Sequence, residues 1–259
     1  MSPPGTPRNL HGMSDFWFSL ALITFTFLLA GFVKGVIGLG LPTVAVGLLG
    51  LVMPPAEAAA LLVVPSMVTN LWQLFAGPRF GALVRRLWPM LAMICLGTWA
   101  GAGLLTGGSA GRATAALGAA LMLYALLGLS RLQLQVPPRW ERPLSPVIGA
   151  ATGLVTAATG VFALPAVPFI QALGLDREDL IQALGLSFTV STIALAAGLA
   201  HDGAFGSATL GQSALAIIPA LAGMGVGQWV RVRVRPALFR TWFFIGLAVL
   251  GADLAFRAL

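Results

Sequence analysis

"GFVKGVIGLG", residues 31–40, carries four glycines and the only lysine of the chain. On either side lie stretches that a lipid bilayer would accept, about 16–33 and 36–53. The surrounding composition decides the class. The chain has 259 residues, 58% hydrophobic and 9% charged, with a mean hydropathy of +0.92. A soluble domain carries about 25% charged residues. This is therefore expected to be an integral membrane protein, with helices of about 20 apolar residues crossing the bilayer. A charge and a cluster of helix-weakening glycines at membrane depth then require a reason.

Five apolar segments are expected before a central loop, at about 16–33, 36–53, 58–76, 87–105 and 113–130. The loop "RLQLQVPPRWERP", 131–143, holds three arginines and three prolines. Five more segments follow, at about 144–158, 161–175, 180–200, 208–230 and 238–256. No intervening loop is long enough to fold alone, so the chain reads as one transmembrane domain. The run from Phe16 to Phe32 is too long for a secretory leader and lacks a small-residue cleavage pattern after it, so it reads as the first membrane segment.

The halves echo each other. A shift of 122 residues places Gly31 on Gly153, Val33 on Val155, Gly38 on Gly160, Glu57 on Asp179 and Thr69 on Ser191. A shift of 126 places Gly97 on Gly223 and Gly101 on Gly227. If each half crosses an odd number of times, Arg79, Arg85, Arg86, Arg131, Arg139, Arg142, Arg231, Arg233 and Arg235 share one side. Such a bias marks the cytoplasmic face. The odd count implies inverted repeats with both termini outside. The expected architecture is an all-α polytopic membrane protein of two inverted repeats, about 16–130 and 144–257. In each, the first helix pair is expected to be broken or re-entrant, most clearly in the second half, where segments of about 15 residues reach only about 22 Å.

A helix broken at Gly35, Gly38, Gly40 and Pro42 frees backbone N–H groups, which membranes tolerate only inside protein or around water. Free N–H groups at a helix N-terminus suit an anion, and Lys34 adds a full charge. In the second half "TAATGVFALP", 156–165, supplies Thr156, Thr159 and Gly160, with Thr156 at the lysine position. The third segment of each half is dotted with polar residues: Ser66, Thr69, Asn70 and Gln73, then Ser187, Thr189, Ser191 and Thr192. The first four share one helix face. Packing competes with binding as the role of these glycines, and for Gly97, Gly101, Gly223 and Gly227 packing is the expected one. Snorkelling to the interface competes for Lys34.

Other chemistry is thin. The net charge of +7 sits in short loops, which speaks for topology and against nucleic acid. Cys95 is alone, so a thiol relay is excluded and the residue reads as a small lipid- or core-facing side chain. Glu57, Asp176, Glu178 and Asp179 read as caps and first-turn acids; a proton-coupling role stays open. His201 and Asp202 lack a third metal ligand. No nucleophile–base set is visible, and "GMGVGQ" has neither the spacing nor the preceding strand of a dinucleotide motif. An enzyme is not expected, nor a cofactor or metal.

The break "AGFVKGVIGLGLPTVAVGLLGLVMPPAEAAAL", 30–61, its echo "GAATGLVTAATGVFALPAVPFIQALGLDREDLIQALG", 149–185, and the late "LAGMGVGQWV" resemble the sulfite exporter TauE/SafE family of bacterial permeases. The resemblance implies movement of sulfite, a sulfonate or a small organic anion across a bacterial inner membrane. Ala157 and Phe162 stand where the first half has Gly35 and Gly40, so a two-fold symmetric site is not expected. The reading is a permease whose anion sits between the breaks, bound by Lys34, the backbone around Gly35, Gly38 and Gly40, and Thr156, Thr159 and Gly160. Asn70, Gln73, Ser191 and Thr192 line the path. An anion channel and a non-transporting scaffold are the alternatives. Partners are the small anion and the bilayer; a coupling proton or ion, and the oligomeric state, are left open.

Overall fold

The computed structural model describes residues 8–107, 109–130, 134–233 and 236–258. Among them are eleven helices and no strand: α1 Arg8–Ile37, α2 Leu41–Leu49, α3 Pro55–Leu74, α4 Phe80–Ala100, α5 Ala110–Leu129, α6 Pro138–Thr159, α7 Ala166–Gln171, α8 Arg177–His201, α9 Ser207–Leu215, α10 Ile217–Arg231 and α11 Pro236–Arg257. Six stretches are long and apolar enough to cross a membrane: Trp17–Ile37, Phe80–Ala100, Ala110–Leu129, Arg177–His201, Thr209–Arg231 and Ala237–Arg257. The protein is an all-α polytopic membrane protein.

Several boundaries differ from the sequence expectation, α4 by as much as seven residues at its start, and three of the differences bear on the architecture. The loop at 131–143 gives up its second part to α6, which begins at Pro138. Proline reads as a loop residue, yet at the first position of a helix its missing N–H costs nothing and its fixed φ helps. The expected segment 208–230 is two helices, α9 and α10, meeting at Ala216. Pro219 cannot donate back into the ladder there. The second segment of each half is short: α2 has 9 residues and α7 has 6. At 1.5 Å per residue α2 is about 14 Å long. It is buried along nearly its whole length, so it lies inside the protein and does not span alone.

Charges gather at one end of the bundle. The Arg86 guanidinium at the start of α4 donates two hydrogen bonds to Glu141 at the start of α6, at 2.6 and 2.8 Å. Arg79 donates to Asp179 in the first turn of α8 at 2.8 Å, and Asp176 caps that helix by accepting from the Asp179 N–H. At the other end Thr106 donates to Asp202, joining the loop after α4 to the end of α8.

The main helix interfaces pair α1 with α10, α4 with α6, α5 with α11, and α3 with α8. Glycine sets the first two. A methyl group at Gly223 would lie 2.0 Å from the Leu28 carbonyl oxygen, and one at Gly31 would lie 2.1 Å from that of Ala220. On the other pair, a methyl at Gly97 would meet the Ala150 carbonyl at 2.5 Å and one at Gly153 the Ile94 carbonyl at 2.4 Å. Small residues here let backbones touch. Pro65 interrupts α3, and Ser213 of α9 repairs the ladder: its hydroxyl donates to the Leu61 carbonyl at 2.8 Å and accepts from the Val64 N–H at 3.1 Å.

A candidate anion site around Lys34

α1 ends at Ile37. The Gly38 N–H donates to the Lys34 carbonyl, and the ladder resumes only when the Val44 N–H reaches Gly40. The chain turns through Gly38 and Gly40, with φ of 81° and 104°. Side chains other than glycine rarely adopt this left-handed region, so the turn depends on both residues. The break leaves Lys34 one turn before it, 2% exposed.

Lys34 Nζ donates to Thr69 Oγ1 at 3.0 Å and to Asn70 Oδ1, both on α3. The Phe188 ring of α8 lies 6.0 Å from Nζ. Among the described residues no carboxylate pairs with it. A buried ammonium with only neutral partners is costly, since burial of a charge calls for an opposite one.

Around this centre the polar faces of α3 and α8 interlock. The Asn70 amide donates to Ser66 Oγ and Thr192 Oγ1, each at 3.1 Å. Thr192 donates to the Phe188 carbonyl, and Thr69 to the Pro65 carbonyl. Gln73 Nε2 donates to the Gly38 carbonyl at 2.6 Å, tying α3 to the break. Ser66, Thr69, Asn70 and Gln73 all point inward, as their spacing on one face requires. Among the described residues five buried side-chain polar atoms have no partner, Thr26 Oγ1, Gln73 Oε1, Tyr124 Oη, Ser187 Oγ and Ser191 Oγ, and three of them belong to α3 and α8. Each such atom costs about 1–3 kcal/mol, and clusters of them call for an explanation.

The structure thus joins Lys34, Gly38, Asn70, Gln73 and Thr192 in one network, with Ser191 beside Thr192. It does not bring the second break to the same place. Gly160 packs on Ala59, where an added methyl would lie 2.8 Å from the alanine Cβ. Ala59 and Gln73 are about 21 Å apart along α3 at 1.5 Å per residue. One small anion cannot touch both breaks. The Thr156 and Thr159 hydroxyls donate to the carbonyls of Thr152 and Val155 in their own helix, so neither offers a free proton. Gly35 faces the α10 backbone, where a methyl would meet the Met224 carbonyl oxygen at 2.3 Å. Gly40 serves the turn and starts α2. Phe188 and Ser213 escape sequence reasoning, because an apolar ring and one serine in a polar-dotted segment carry no periodic signal. Cys95 is exposed and lines an apolar cavity with Trp99 and His201.

A family model described as Sulfite exporter TauE/SafE matches residues 23–254, from within α1 to within α11. The chain belongs to the sulfite exporter TauE/SafE family. Membership implies a membrane transporter for sulfite or related anions, and the six apolar helices agree with a multi-pass member. Comparison with curated proteins and with solved structures gave no match. For a TauE/SafE chain, a buried lysine with no carboxylate partner among the described residues is the feature that most needs interpretation.

Proposed function

We propose that the protein is a secondary carrier moving a small oxyanion (sulfite, a sulfonate or a small organic anion) across the bacterial inner membrane. The observation that carries this reading is Lys34: buried, hydrogen-bonded only to neutral oxygens, and without a carboxylate. The anion is its missing counter-charge. The orphaned hydroxyls of Ser187 and Ser191, one turn apart on α8, and the second amide hydrogen of Gln73 are the further donors. Lys34 is closed off from solvent, which suits a carrier with an occluded state better than an open pore.

Alternating access needs two halves that rock, and the contacts support inverted repeats. The offsets of 122 and 126 that align Gly31 with Gly153 and Gly97 with Gly223 also align their packing partners: Leu28 with Ala150, and Ile94 with Ala220. Asn70 and Thr192, equivalent under the first offset, bond to each other where antiparallel α3 and α8 cross. The arginine end is the cytoplasmic face by the positive-inside rule.

The test is counterflow of labelled sulfite in proteoliposomes, with unlabelled sulfonates and carboxylates as competitors. Saturable exchange is expected in the wild type and none in Lys34→Ala, with equal amounts of folded protein in the membrane. Undiminished exchange in that variant would remove the site assignment.

A further inference from the structure

The arginine end holds a cavity that the Lys34 network does not use. It measures about 550 Å³ and is lined by Val36, Ile37 and Leu39 at the first break, and by Arg177, Arg231 and Arg240. The three arginines come from the start of α8, the end of α10 and the start of α11. Among the described residues none of them is paired with a carboxylate. Of the acids beside Arg177 in sequence, Asp176 and Asp179 face Arg79 at 3.8 and 2.8 Å, and Glu178, exposed in the first turn of α8, forms no ion pair among the described residues. Arg177 and Arg231 are close enough for their charges to repel. Like charges gathered around one concave space raise its affinity for anions and focus them into it, and guanidinium forks match oxyanions in shape. A second cavity of about 710 Å³ shares Arg240, Gln171 and Phe244 with it. The floor of the first is the break itself: Leu39 lies next to Gly38, whose carbonyl holds Gln73.

We infer that this cavity is a second anion site, an antechamber on the arginine face where a small oxyanion is held by Arg177, Arg231 and Arg240 before it passes the break to Lys34. The inference rests on the carrier reading but needs its own test. Sulfite is supplied to one face at a time in oriented phosphatidylcholine vesicles, and Arg231→Gln/Arg240→Gln is compared with wild type. From the arginine face the half-saturating concentration should rise about tenfold, with the maximal rate unchanged; from the opposite face the half-saturating concentration should hold and the maximal rate should fall by the same factor, since the ratio of the two faces' rate-to-half-saturation quotients is fixed by the equilibrium. Arg231→Lys/Arg240→Lys should keep most of the wild-type behaviour. No change, or a tenfold rise in the half-saturating concentration from both faces, overturns the antechamber. If the double variant fails to reach the membrane, Arg177→Gln, at an exposed position, takes its place with the same expectations.

If the wild type shows no saturable sulfite flux, the carrier reading fails, and equilibrium sulfite binding to the detergent-solubilised protein decides the cavity separately. Binding lost in Arg231→Gln/Arg240→Gln but kept in Lys34→Ala supports it; binding kept in the former overturns it. Native mass spectra with added phosphatidylglycerol distinguish a lipid source of the same chemistry. Phosphatidylglycerol retained by wild type in place of sulfite, and lost from the variant, makes the occupant a headgroup and overturns the antechamber.

Discussion

At the scale of single residues, the site is a charge looking for a partner. Asn70 gives a test with opposite signs in two measurements. Asn70→Asp would put a carboxylate within hydrogen-bonding reach of Lys34 Nζ. A hydrogen bond to a charged group is worth about 1.5–3 kcal/mol, so the variant is expected to melt later than wild type in detergent. Its sulfite counterflow is expected to fall at least tenfold, because the internal carboxylate takes the place of the anion. A variant that melted earlier and still transported would argue that Lys34 is structural. Lys34 and the polar face of α3 are legible in the sequence because a chain this apolar makes each polar residue conspicuous. The orphaned state of Ser187 and Ser191 is not legible, since it depends on which groups the packed neighbours of α8 present to them.

At the scale of helices, proline and glycine have position-dependent meanings. Pro65 is tolerated in α3 because Ser213 from a distant helix serves the freed carbonyl; no local pattern announces that repair. Gly223 and Gly225 on α10 make a controlled pair. A methyl at Gly223 meets the Leu28 carbonyl at 2.0 Å, and one at Gly225 meets nothing within 4 Å. Gly223→Ala should therefore lose about 1–3 kcal/mol to overpacking, visible as a lower melting temperature, while Gly225→Ala stays at or slightly above wild type. Equal effects would mean that α1 and α10 adjust to the added volume. The packing role of the late glycines is legible from their four-residue spacing. The short α2 and α7 are only half legible, because hydropathy cannot tell a helix buried in protein from one crossing lipid.

At the scale of the whole molecule, the distribution of arginine is the main asymmetry. The sequence places most arginines on one side by counting crossings, but it does not reveal that Arg177, Arg231 and Arg240 share a cavity. That meeting joins residues from three helices and follows only from tertiary packing. The topology itself is open to a direct check. In a Cys95→Ala background, Gln135→Cys lies at the arginine end and Ser109→Cys at the other, before α5. In intact cells an impermeant maleimide should modify Ser109→Cys and spare Gln135→Cys until the membrane is broken. The reverse pattern would place the arginines outside and invert the proposed orientation.

The solitary lysine also makes the protein its own reporter. Apart from the chain's N-terminus, Lys34 is the only primary amine the sequence provides. An acylating reagent therefore has one internal target, and that target is 2% exposed in this conformation. The speed of acylation at Lys34, read by peptide mass spectrometry, clocks how often the occluded centre opens, with no dye and no engineered side chain. Saturating sulfite should slow it, and any change that holds the centre open should quicken it.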